Sequence, residues 1–189
     1  ENLLKKADKI LIGGGMANTF VAAQGYDMGE SLQDKDRFDL ARNLMKKAND
    51  LGSSIMLPVD FMAGDSFSAE AKTKVLSAEE FSSPWMALDI GPKTIDLYVE
   101  TLQKMKTVVW NGPMGVFEME PFSKGTYAIA KAMASLNATT VIGGGESASV
   151  VDLLGIGDKF SHVSTGGGAS LEMLEGMILP GVAILADKE

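Results

Sequence analysis

A chain of 189 residues with 17 basic and 25 acidic side chains has a formal charge of −8, which repels nucleic acid. It holds no cysteine and one histidine, His162, so disulfides, cysteine-based zinc sites and histidine-rich metal centres are excluded. No apolar run approaches the roughly 18 residues of a membrane span, and the opening lacks a secretory pattern. A cytosolic protein without nucleic-acid or membrane partners fits these features.

The predicted elements alternate between short apolar strands and helices. The opening ENLLKKA reads as the back half of a helix, so the chain is expected to be a piece of a longer polypeptide. Lys9–Gly13 forms the first strand, and a helix near Met16–Gln24 follows, which Gly25 ends as a left-handed cap. Phe38, Leu40, Ala41, Leu44, Met45, Ala48 and Leu51 recur at helical spacing, with Gly52 as the stop. SSIMLPVD is the second strand. Phe61–Pro84 reads as a long, less regular insertion with a short strand at KTKVL. WMALDIG is the third main strand, leading into a helix that carries Ile95, Tyr98, Val99, Leu102 and Met105. TVVWNG is the fourth, followed by a helix over Ser123–Leu136. TTVIGG and FSHVST complete the set, each leading into a helix.

Several strands are continuous apolar runs, as strands buried on both faces are. Their alternation with helices predicts an α/β fold. We expect a Rossmann-like three-layer sandwich with a mostly parallel, about six-stranded sheet, forming one domain over residues 1–189.

Three glycine triplets stand between a strand and a helix: Gly13–Gly15, Gly143–Gly145 and Gly166–Gly168. Each alone reads equally as a tight turn. In a parallel sheet, however, all strand ends share one edge, and ligands bind there. A helix start offers unpaired N–H groups and partial positive charge, and glycine lets the backbone approach a ligand closely. Three such starts on one edge predict a polyanion site that needs no lysine cluster. A P-loop motif is absent. Gly143-x-Gly145-x-x-Ala148 matches a loose dinucleotide pattern, which keeps an NAD(P)-binding oxidoreductase domain as the alternative.

The loop VVWNGPMGVFEMEPF is the densest in chemistry. Val116 and Phe117 offer an apolar wall for a base, and Glu118 an acceptor for ribose hydroxyls, although an isolated glutamate is equally an exposed acid. Glu146 follows the second triplet, where it either complements a helix start or meets phosphates through Mg²⁺. Ser147 caps the helix or donates to phosphate. His162 reads as a packed or hydrogen-bonded strand residue and not as a catalytic base.

Taken together, GGGMANTF, PWMALDIGP, VVWNGPMGVFEMEPFSKGT, GGGES and HVSTGGGASLEMLEGMILPGV resemble phosphoglycerate kinase, and specifically its C-terminal, nucleotide-binding domain. The resemblance implies phosphoryl transfer between 1,3-bisphosphoglycerate and Mg-ADP, giving 3-phosphoglycerate and ATP. It implies that Gly14, Gly15, Ala87, Leu88, Pro113 and Val116 line the adenosine site, with Glu118 on the ribose. Asn111, Gly144, Gly145 and Ser147 would meet the phosphates, and Glu146 the metal. Gly166, Gly167 and Gly168 would point a helix start at the group in transit. It further implies a monomer whose N-terminal lobe, bearing the 3-phosphoglycerate site, is absent, so that this chain binds nucleotide but turns over negligibly. Two positions depart from the family pattern: Glu146 stands where Asp is usual, and Ala87 where Gly is frequent.

Overall fold

The structure is a computed structural model that describes residues 1–185. Residues 186–189, the end of the expected domain, lie outside the described residues.

Strands β1 (Lys9–Leu11) and β2 (Ser54–Met56) pair in parallel, joined through helices α1 (Gly14–Ala23) and α2 (Phe38–Asp50). Strands β3 (Phe61–Gly64), β4 (Thr73–Leu76) and β5 (Met86–Ile90) form an antiparallel sheet in the order β4-β3-β5. After α3 (Pro92–Leu102) come β6 (Thr107–Asn111), α4 (Lys124–Ala134), β7 (Thr139–Gly143), α5 (Gly145–Leu153) and β8 (His162–Ser164). These last three strands are parallel and in sequence order. Helices α6 (Gly167–Glu175) and α7 (Pro180–Ala183) follow. The α/β, Rossmann-like sandwich is therefore present.

Two details correct the sequence reading. The strands are divided among three sheets, and WMALDIG pairs antiparallel with β3 instead of joining a parallel set. The stretch taken as a less regular insertion supplies β3 and β4, including the strand anticipated at KTKVL. Phe61 and Leu76 are directly paired and both buried, which explains why a hairpin forms where the sequence shows little alternation. Strand β6 buries Val108 and Trp110 but leaves Val109 40% exposed, so it is buried on one face and not on both. Its buried face packs against α4 through Ile129 and Met133 and against α5 through Val150 and Val151, whereas α6 buries no residue.

Leu11 and Met56 pack against that same cluster, so the two parallel sheets share one core. Helix α1 is wedged between two other clusters, one with Phe61 and Phe81 and one with Ile55 and Ala41. That position explains its unbroken run of buried residues, Ala17–Ala23. Tyr98 on α3 is fully buried and its hydroxyl lies 2.8 Å from the carbonyl of Ile12 and 3.0 Å from that of Met56. It thereby fixes the ends of β1 and β2 together. Burial raises its phenol above the ordinary range.

Two buried aspartates cap helix starts. Asp60 accepts from the amides of Lys93 and Thr94 at the start of α3, close against Gly91, where a Cβ would stand 2.4 Å from its carboxyl carbon. Asp89 accepts from the amide of Gly125 at 2.7 Å and from that of Ile90 at 2.8 Å.

Candidate functional site: a rim of glycine turns

The parallel register sets Asn111, Gly143 and Ser164 side by side at the carboxyl ends of β6, β7 and β8. Two triplets leave the sheet at this point. They touch: a Cβ on Gly167 would lie 2.5 Å from Gly144 Cα and 3.3 Å from Asn111 Nδ2. Only glycine allows so close a backbone approach, and Gly144 has φ +92°, which L side chains rarely adopt. Asn111 spans the pair, donating through Nδ2 to the Gly167 carbonyl at 3.3 Å.

The first triplet is reached through the loop after β6. Gly14 N–H donates to the Met114 carbonyl at 2.9 Å, and a Cβ on Gly13 would lie 3.1 Å from Met114 Cα. Gly14 also has positive φ, +60°. All three triplets therefore border one loop, Asn111–Glu118, at one edge of the molecule.

The structure also separates amides that are engaged from those that precede the helical ladder. Gly14 N–H is held by Met114, Gly166 N–H by Ser164 Oγ and Gly167 N–H by the Thr165 carbonyl. The ladder of α5 begins with Ala148 N–H to Gly144 C=O, and that of α6 with Ser170 N–H to Gly166 C=O. Gly145, Glu146, Gly168 and Ala169 thus lie in first turns, whose amides lack intrahelical partners.

Ser147 takes a different place from the one expected. It is fully buried, and its hydroxyl accepts the Gly112 amide at 2.8 Å, so it supports the loop instead of facing the rim. Thr126, which the sequence reading did not single out, is also fully buried and accepts from both Met114 N–H (3.0 Å) and Gly115 N–H (3.3 Å). Val116 N–H donates to the Leu88 carbonyl at 2.9 Å. Asp89 sits immediately beneath, where a Cβ on Gly115 would lie 2.4 Å from its Oδ1. Burial pushes the Asp89 carboxyl up to about 7, against the opposing pull of its two amide donors.

Leu88 is buried, Pro113 and Val116 are half-buried, and Glu118 is exposed. Ala87 packs its methyl on the cluster around Val21 and Met28, so the departure from glycine fills core space. Its N–H and C=O are engaged by Ser31 Oγ (2.8 Å) and Asn18 Nδ2 (3.5 Å). The same Asn18 amide reaches the Leu32 carbonyl at 3.3 Å. This holds Leu32, 80% exposed, against Gly15 beside an apolar cleft of about 530 Å³. An exposed leucine in a polar stretch carries no signal in the sequence, so Leu32 was not anticipated. His162 lies in β8 as expected but is exposed there, so it is not packed.

Glu146 projects from the first turn of α5 and is exposed. Among the described residues no three His, Cys, Asp or Glu side chains gather as a metal cage. A lone exposed carboxylate beside first-turn amides has the oxygen chemistry that suits Mg²⁺, which is commonly held by one or two carboxylates together with substrate phosphates. Among the described residues no helix is long and apolar enough to cross a membrane.

Residues 1–177 match the family model described as phosphoglycerate kinase. The chain belongs to the phosphoglycerate kinase family. It is 54% identical over 187 residues to the phosphoglycerate kinase of Roseiflexus sp. (strain RS-1), covering 99% of this chain and 47% of that protein. The Clostridium tetani (strain Massachusetts / E88) phosphoglycerate kinase is equally similar, 54% over the same length and coverage. The solved phosphoglycerate kinase of Coxiella burnetii superposes with a TM-score of 0.92 at 43% identity, over 97% of this chain and 47% of that one. That of Pyrococcus horikoshii OT3 gives 0.73 at 32% identity, over 96% and 48%. The chain spans about half the length of the curated relatives it matches. The alternative of an NAD(P)-binding oxidoreductase domain finds no support, since the family match runs through all three glycine triplets.

Proposed function

We propose that this chain is one nucleotide-binding domain, the ADP/ATP half of a phosphoglycerate kinase. The whole enzyme transfers a phosphoryl group between 1,3-bisphosphoglycerate and Mg-ADP to give 3-phosphoglycerate and ATP. The observation that carries this reading is the convergence of three glycine-built helix starts on the single loop Asn111–Glu118.

Gly14, Gly15, Leu88, Pro113 and Val116 form the nucleoside side, with Ala87 as a fixed strand beneath and Glu118 accepting the ribose hydroxyls. The first-turn amides at Gly144–Glu146 meet the phosphates, and Asn111 keeps that turn beside Gly167. Gly166, Gly167 and Gly168 aim the start of α6 at the group in transit. Phosphoryl transfer depends on position and charge stabilisation, which prepositioned main-chain dipoles supply without reorganisation. Glu146 would hold Mg²⁺, whose chemistry is to neutralise charge on the phosphates.

The acid-substrate site belongs to the other half of the enzyme in this reading, so this chain binds nucleotide as a cytoplasmic monomer and turns over negligibly. Calorimetry with Mg-ADP and NAD side by side tests it. Mg-ADP binding without NAD binding is expected. NAD binding that is indifferent to magnesium, or no nucleotide binding, contradicts it, and steady turnover by the purified chain contradicts the assignment of the acid site elsewhere.

A further inference from the structure

The loop Gly112–Val116 has every main-chain donor it can offer engaged from below. Ser147 on α5 takes Gly112, Thr126 on α4 takes Met114 and Gly115, and Leu88 on β5 takes Val116. Thr126 is the only one of these that holds two consecutive amides. It also starts a relay. Its hydroxyl accepts Met114 N–H at 3.0 Å, and the Met114 carbonyl accepts Gly14 N–H at 2.9 Å. One side chain on α4 thus connects, through a single residue, to the first glycine turn on the far side of the loop.

We propose that Thr126 is a positioning residue of the nucleoside site: its buried hydroxyl sets the distance between Gly14 and the Pro113–Val116 loop. This rests on the nucleotide-binding reading above. Thr126 does not touch the ligand. Its oxygen lies in a fully buried position. Replacing it with a methyl strands two amides that have no other acceptor, so the loop must lift to reach water. Lifting the loop withdraws the Met114 carbonyl from Gly14 and opens the slot that the base and ribose occupy.

The test compares Thr126→Val and Thr126→Ser in the intact chain, by calorimetry with adenosine and with Mg-ADP well below the melting transition. Thr126→Val is expected to weaken both ligands by the same factor, about tenfold, as loss of one effective hydrogen bond does. Thr126→Ser, which keeps the oxygen, is expected to stay within about twofold of the parent. A purely structural role lowers the melting temperature but leaves the affinity of the folded molecules unchanged. Parent-like binding by folded Thr126→Val overturns the proposal, and so does a Ser variant as weak as the Val variant. Should Thr126→Val not fold, amide exchange in the parent chain decides. Met114 and Gly115 are expected to exchange at least about a hundredfold slower than free peptide, and rapid exchange of both overturns the proposal. Failure of the parent to bind either ligand defeats the nucleotide reading itself, and the exchange measurement still reports whether Thr126 holds the loop.

Discussion

Asn111 donates its side-chain amide to the carbonyl of Gly167 at 3.3 Å, and this contact joins the end of β6 to the start of α6. The side-chain oxygen of the same residue faces Gly144, where a Cβ would lie 3.0 Å away. One asparagine therefore sets the spacing of two helix starts, and the mutual approach of Gly167 and Gly144 leaves no room for a side chain.

Gly167→Ala places a methyl 2.5 Å from Gly144 Cα and 2.8 Å from Gly144 N, both main-chain atoms that cannot swing aside. Overpacking of this kind costs about 1–3 kcal/mol and moves backbone. Because the clash lies on the side proposed to meet the phosphates, Mg-ADP affinity is expected to fall about tenfold or more while adenosine affinity changes by less than about twofold. Calorimetry with the two ligands checks the split, and an equal loss for both contradicts it.

Much of this site was legible in the sequence, and the reason is steric. Gly144 and Gly14 have positive φ, and Gly13 and Gly167 lie against foreign backbone, so a glycine is required and shows in the text of the chain. The parallel strands and following helices were legible because their apolar runs reflect burial. The hairpin of β3 and β4 was not, since Asp65–Lys72 between them carries polar residues and the strands show no alternation. Ser147 and Thr126 were misread or missed for one cause: a hydroxyl looks the same in sequence whether it faces a ligand or a loop amide, and only burial distinguishes the two. Leu32 was missed because an apolar residue placed in solvent has no periodic partner.

Asp89 predicts a pH dependence of stability. Burial raises its carboxyl from 3.8 to about 7, so the folded state holds the proton more tightly than the unfolded chain does. Its contribution is complete below about pH 4 and is lost as pH rises toward 7, by at most about 4 kcal/mol. Asp89→Asn removes the titration. Urea unfolding of parent and variant between pH 4 and 8 is expected to show the parent losing stability relative to the variant as pH rises. Parallel curves contradict this account.

Tyr98→Phe removes the hydroxyl shared by the Ile12 and Met56 carbonyls. One buried hydrogen bond is then lost, chiefly at the Ile12 carbonyl, since the Met56 carbonyl keeps the Ile12 amide as a donor, and a stability loss of about 1 kcal/mol is expected. Denaturant unfolding measures it, with the slope unchanged. A neutral substitution would mean that water reaches these strand ends.

Glu118→Ala tests the ribose contact. The side chain is exposed and anchors nothing in the fold, so stability is expected to change by less than about 0.5 kcal/mol. Adenosine affinity is expected to drop about tenfold, whereas adenine, which has no ribose, is expected to bind both proteins alike. Equal losses for adenosine and adenine would place Glu118 elsewhere.

The most direct test of the glycine rim is amide NMR of the chain titrated with Mg-ADP. The account predicts that the signals of Gly15, Gly145, Glu146, Gly168 and Ala169 move together with one binding curve, while amides of the β3–β4 hairpin stay still. Shifts confined to one triplet, or gathered away from all of them, would contradict it.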